Sequence, residues 1–119
     1  MENRGVIGVF VGEENGKTKC SVSVRAEQSS EELEEQVRRE HGDLNISLRK
    51  MYVFSCKGNV VDVETGLRKK LCQELGLYNS GDFGWEGYTI ENVDKFIEHV
   101  DEKVESIDGV TVLQEIPGI

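Results

Sequence analysis

Asn15-Gly16 is the feature that most narrows what this chain can fold into. Both central positions of a two-residue hairpin turn need positive φ, and Asn-Gly adopts that geometry at little cost. Before it, residues 4–12 (Arg-Gly-Val-Ile-Gly-Val-Phe-Val-Gly) read as a buried strand loosened by glycines. After it, residues 18–25 alternate, with Cys20, Val22 and Val24 on one face and Ser21 and Ser23 on the other. That alternation predicts a half-buried return strand, so the two segments form an antiparallel hairpin.

Further along, Ser29 and Glu32 have the spacing of a capping box. Leu33, Gln36-Val37 and a stop at Gly42 predict a surface helix with a thin apolar stripe. Residues 49–56 (Arg-Lys-Met-Tyr-Val-Phe-Ser-Cys) are nearly continuous in apolar character and are expected to form a third, central strand. Asn59 is placed to cap a second helix, with the stripe Val60, Val63-Glu64, Leu67, Leu71 and Leu75 and an end at Gly76. Residues 77–88 read as an aromatic, glycine-rich loop with a short strand at 85–88. Thr89 is expected to cap a third helix with the stripe Val93, Phe96-Ile97, Val100 and Val104. Residues 110–115 form a last short strand, and Pro117-Gly118 ends the fold. The order is ββαβαβαβ, an α/β (α+β) domain built from an N-terminal hairpin, a central strand and flanking helices. At 119 residues the whole of 1–119 is expected to be one domain.

Charge divides the chain. Residues 1–72 carry 12 acidic and 12 basic side chains, whereas residues 73–119 carry 11 acidic and 2 basic, so the net −9 lies in the second segment. Phosphate contacts supply most non-specific affinity for DNA, so the acidic bulk argues against indiscriminate DNA binding. A local basic face remains open, because Arg49, Lys50, Lys57, Arg68, Lys69 and Lys70 cluster in the middle of the sequence. No apolar run approaches the roughly 20 residues of a membrane span. The apolar run near the N-terminus is too short and strand-like for a secretory signal. These features predict a cytoplasmic protein without a membrane partner. Cys20, Cys56 and Cys72 are widely spaced, with no CxxC or Cys/His cluster, and read as small buried apolar groups rather than zinc ligands. His41 suits a helix C-terminus, and His99 lies among Glu98, Asp101 and Glu102, where a solvated or salt-bridged imidazole is expected. Trp85 and Tyr88 are placed either to stack on bases or a partner, or to pack over the last helix.

The hairpin, helix, strand, helix order resembles the GIY-YIG nuclease family. In phage homing endonucleases of that family a Gly-Ile-Tyr strand precedes a Tyr-Val-Gly strand by about thirteen positions, across an Asn-containing turn. Here Gly8-Val9-Phe10 precedes Ser21-Val22-Ser23 by the same interval, across Asn15-Gly16. The family's metal-binding glutamate lies on the helix after the next strand, where Glu64 stands. Its Tyr-Asn pair lies beyond that helix, as Tyr78-Asn79 does here. The resemblance is strongest over residues 5–79.

It implies Mg²⁺-dependent phosphodiester hydrolysis of DNA. Glu64 would be the metal ligand, Asn79 and Arg68 would lie near the phosphate, and Phe10 and Ser21 would mark the two motif tyrosines. Arg68, Lys69 and Lys70, with Arg49 and Lys50, would supply the nucleic-acid contact. The departures point to impaired catalysis. Phe10 keeps the ring but has no hydroxyl to transfer a proton, and Ser21 has no ring. The family's helix arginine falls at or near Glu31, inside Glu31-Glu32-Leu33-Glu34-Glu35, which would repel a phosphate. Glu64 has an alternative role as a carboxylate favoured by the helix dipole, and Asn79 as a turn residue before Ser80-Gly81. The rival function is non-enzymatic: an acidic protein-binding module, an inhibitor or DNA-mimic-like decoy, that engages a basic partner through residues 73–119.

Overall fold

The hairpin forms as the turn chemistry demands. β1 (Asn3–Glu14) and β2 (Lys17–Ala26) pair antiparallel from Gly5 opposite Ala26 to Glu14 opposite Lys17, and Gly16 closes the turn at φ 74°. A computed structural model of the chain describes residues 2–14, 16–40, 45–75, 88–89 and 92–117. The remaining elements are α1 (Ser30–Glu40), β3 (Ile46–Cys56), α2 (Val60–Leu75), β4 (Tyr88–Thr89), α3 (Val93–Glu105) and β5 (Val110–Pro117). This is the ββαβαβαβ order expected from the sequence.

The strands make one antiparallel sheet in the order β4-β2-β1-β3-β5. β3 is an inner strand, three residues longer at its start than the apolar run suggested, while β1 takes the central position. Helices cover both faces. On one, Ile7, Val9, Val22, Tyr52 and Phe54 meet Val63, Leu67 and Leu71 of α2 and Phe96, Val100 and Val104 of α3. On the other, Val6, Phe10, Ile46, Leu48, Met51 and Val53 meet Leu33 and Val37 of α1. Double coverage corrects the picture of a half-buried return strand: Lys19, Ser21 and Ser23, which alternation sends away from the first core, are buried on the second face.

Local signals set most boundaries. The Ser29 hydroxyl accepts from the Glu32 N–H at 3.2 Å, while the Glu32 carboxylate accepts from the Ser29 hydroxyl at 2.9 Å and from its backbone N–H at 3.4 Å. Asn59 Oδ1 accepts from the Val61 N–H at 3.0 Å and opens α2. α3 departs from expectation, because its cap is Asn92, whose side chain accepts from the Lys95 N–H at 3.1 Å. Asn is the stronger N-cap, and the β-branched Thr89 instead pairs in β4 opposite Lys19. Of the strand expected at 85–88, Tyr88 belongs to β4 and the rest lies outside the described residues.

Two irregularities re-aim side chains. Between β1 and β3, Val9 faces Lys50 but Phe10 faces Leu48, so Arg49 is an extra, bulged residue. Between β3 and β5, Val53 faces Gln114 but Phe54 faces Val112, which makes Leu113 the extra residue. Gly8 answers a close approach: a Cβ there would lie 2.6 Å from the Phe10 ring and 2.8 Å from Leu33. Among the described residues no helix is long and apolar enough to cross a membrane.

Candidate functional site

Three of the residues singled out by the sequence meet at the outer edge of β2. Among the described residues β4 pairs only with Lys19 and Cys20, which leaves the carbonyls farther along β2 without a described strand partner on that side. The apolar stripe of α2 seats the helix against the sheet and carries Arg68 to this edge. Arg68 Nη2 donates to the Val22 carbonyl at 2.7 Å and reaches the Ser21 hydroxyl at 3.5 Å. One turn earlier, Glu64 Oε1 lies 3.5 Å from Arg68 Nε, and both side chains are about three-quarters buried. Ser21, Glu64 and Arg68 thus form one network, with the guanidinium satisfying a strand carbonyl and facing a carboxylate.

Phe10 is directly opposite Ser21 in the hairpin, but its ring is fully buried beneath α1 with Leu33 and Val37. It presents nothing to a ligand. Asn79, with Tyr78, His41, Trp85 and the glycine-rich loop, lies outside the described residues. Of the basic residues, Lys69 and Arg49 are exposed and Lys70 is half-exposed. Lys50 is not on an open face, since its ammonium lies 2.8 Å from carboxylate oxygens of both Asp101 and Glu115.

Among the described residues no group of three or more His, Cys, Asp or Glu side chains converges to hold a metal ion. Glu64 is the one acid that the family resemblance offers, and its carboxylate faces Arg68. A Mg²⁺ ion bound there would have to compete with that guanidinium, so the donor set fits the ion poorly.

A second polar cluster was not singled out from the sequence. The Tyr52 hydroxyl, on a side chain only 1% exposed, donates to Asp101 Oδ1, and Lys50 Nζ lies 5.0 Å from the centre of the Tyr52 ring. With Glu115 the group ties β3, α3 and β5 together. Burial and then Asp101 push the Tyr52 phenol above its ordinary range. Burial alone would lower the Lys50 ammonium, but its hydrogen bonds to Asp101 and Glu115 outweigh that and raise it. A phenol held neutral and an ammonium held charged are the wrong forms for a base or nucleophile at neutral pH. The available signal was Asp101 directly beside the buried Val100 on α3. Cys20 is equally inert: burial pushes its thiol up to about 12, with Arg49 pulling the other way. Cys56 is buried and donates to the Gly58 carbonyl at 3.3 Å.

No protein-family model, curated protein or solved structure matches this chain.

Proposed function

We propose that the chain is a GIY-YIG-like, nuclease-derived domain that no longer cleaves phosphodiester bonds and acts by binding. The observation that carries this reading is the Ser21–Arg68–Glu64 network. At the place where the resemblance asks for a free metal-binding carboxylate and a phosphate contact, Glu64 faces Arg68, and Arg68 is committed to the Val22 carbonyl. Two further features support it. Phe10 cannot transfer a proton, and the first turn of α1 carries Glu31 and Glu32 where a phosphate-stabilising arginine is called for. What remains for DNA is a local contact through Lys69 and Lys70, which salt would screen.

A plasmid-nicking assay with Mg²⁺ and Mn²⁺ tests this, comparing the wild type with Glu64→Ala. The expected result is no nicking by either protein. Metal-dependent nicking that disappears in Glu64→Ala would overturn the proposal and make Glu64 a metal ligand in an active nuclease.

One observation favours a second reading, the acidic protein-binding module. Asp94, Glu98, Glu102 and Glu105 are all exposed on α3, accompanied by exposed Lys95 and half-buried Lys103. Such a surface steers toward basic partners. Titration with a basic protein such as a histone should then give saturable binding that weakens at least about tenfold in Glu98→Lys/Glu102→Lys, a loss of about 1.4 kcal/mol. Equal binding by both forms would remove this reading.

A further inference from the structure

The chain has six arginines, and five of them sit in salt bridges with glutamates: Arg4 with Glu27, Arg25 with Glu40, Arg38 with Glu34, Arg39 with Glu35 and Arg68 with Glu64. Arg49 is the exception. Among the described residues it makes no ion pair, although the chain carries a net charge of −9 and 23 carboxylates. Its backbone explains where it goes instead. As the bulged residue of β3 it stands outside the regular ladder, so that Leu48 and Lys50, two positions apart, serve opposite faces of the sheet. Arg49 itself is turned toward an open cavity of about 350 Å³ at the hairpin end of the sheet. Bulges of this kind re-aim a side chain, and they are over-represented next to functional sites.

The remaining walls suit an anion that also carries donors. Thr18 and Ser47 offer hydroxyls, Asn45 offers an amide, and the first residue of α3, Val93, closes one side. A guanidinium binds a phosphoryl group through two parallel N–H bonds, and neutral hydroxyl and amide donors supply further hydrogen bonds without adding repulsion. Glu13 lines the same cavity. Its carboxylate disfavours a bare dianion but accepts hydrogen bonds from ligand hydroxyl groups. The volume falls at the lower end of the range of small-molecule pockets and exceeds what a phosphate alone would fill.

We propose that this cavity is a binding site for a small, hydroxyl-bearing phosphate ester of mononucleotide size. Arg49 holds the phosphoryl group, Thr18, Asn45 and Ser47 donate to it or to the attached sugar, and Glu13 accepts from sugar hydroxyls. The site is distinct from the Ser21–Arg68–Glu64 network and does not depend on the nuclease-derived reading.

Nuclear magnetic resonance titration of the full chain tests it, with uridine 5′-monophosphate, uridine, inorganic phosphate and a short single-stranded DNA as probes. The monophosphate should give saturable shifts at the backbone amides of Thr18, Asn45 and Ser47. Uridine should give none, and inorganic phosphate should bind more weakly than the monophosphate. Arg49→Gln should weaken monophosphate binding at least about tenfold, while Arg68→Gln should leave it unchanged. Because Arg49 is exposed, its variant should retain wild-type circular dichroism and melting, so lost binding would not reflect lost folding. Absence of saturable shifts, or equal binding by Arg49→Gln, would overturn the site. Tighter Arg49-dependent binding of the DNA strand than of the monophosphate would overturn the assignment to a small ester and transfer the contact to nucleic acid.

Discussion

Two polar clusters sit at opposite ends of the sheet, and they use charge differently. At the β2 edge the cation serves the backbone: Arg68 fills the empty acceptor of Val22, and Glu64 steadies it at 3.5 Å. Beside β5 the anion is the hub, with Asp101 taking both the buried Tyr52 hydroxyl and the Lys50 ammonium. Removing Asp101 strands the Tyr52 hydroxyl, which is almost wholly inaccessible to water, while Lys50 keeps Glu115. Removing Glu64 strands none, because Arg68 keeps its carbonyl. The comparison teaches that a residue's place in a network, rather than its formal charge, decides what its loss costs.

The differences can be measured by urea denaturation. Asp101→Ala should be the most damaging, at about 2–3 kcal/mol, since it leaves the buried Tyr52 phenol without an acceptor and removes one of the two carboxylates on Lys50. Arg68→Met, which keeps the aliphatic stem but uncovers the Val22 carbonyl, should cost about 1–1.5 kcal/mol. Glu64→Gln should cost about 0.5 kcal/mol or less, because the pair is long, at 3.5 Å, and glutamine keeps an oxygen toward Arg68. If Glu64→Gln proved as harmful as Asp101→Ala, the contrast between the clusters would collapse.

Alkaline pH sharpens the same contrast with a smaller effect. Folding raises the pKa of both Tyr52 and Lys50, so the folded state favours their protonated forms. Their contribution is then complete below about pH 10 and is lost as pH rises through the alkaline range. Cys20 acts in the same direction between its ordinary 9.0 and about 12. Melting temperatures should therefore fall above about pH 9–10, and Tyr52→Phe should flatten that fall. Glu64→Gln should follow the wild-type profile, and a flattened curve for it instead would place the alkaline response at the other cluster.

The order of elements was legible because its signals are local. The Asn-Gly turn, the Ser29–Glu32 box, Asn59 and the helical stripes each act within a few residues. What escaped depends on distant partners. Burial of Ser21 and Ser23 follows from coverage of both faces of the sheet, which strand alternation alone does not reveal. The bulge at Arg49 is a mismatch between two strands some forty positions apart, and neither strand shows it by itself. Thr89 was the expected cap of α3, but pairing between β2 and β4 draws it into a strand, and Asn92 caps the helix instead. For the site, type and position on an element were readable for Glu64, Arg68 and Ser21, but their mutual engagement was not. Lys50 appeared basic and available, whereas two carboxylates on other elements neutralise it.

The extra residue in β5 bears on how the molecule behaves in a crowd. Among the described residues, the outer side of this eight-residue strand has no strand neighbour, which is the arrangement that invites chains to stack edge to edge. Here the strand is interrupted at Leu113, carries a half-exposed carboxylate at Glu115 and ends in Pro117, which has no N–H to offer. Local twist, like-charge repulsion and a missing donor each spoil the template for an incoming copy. The fold can thus leave a long border open without becoming a seed for its own aggregation.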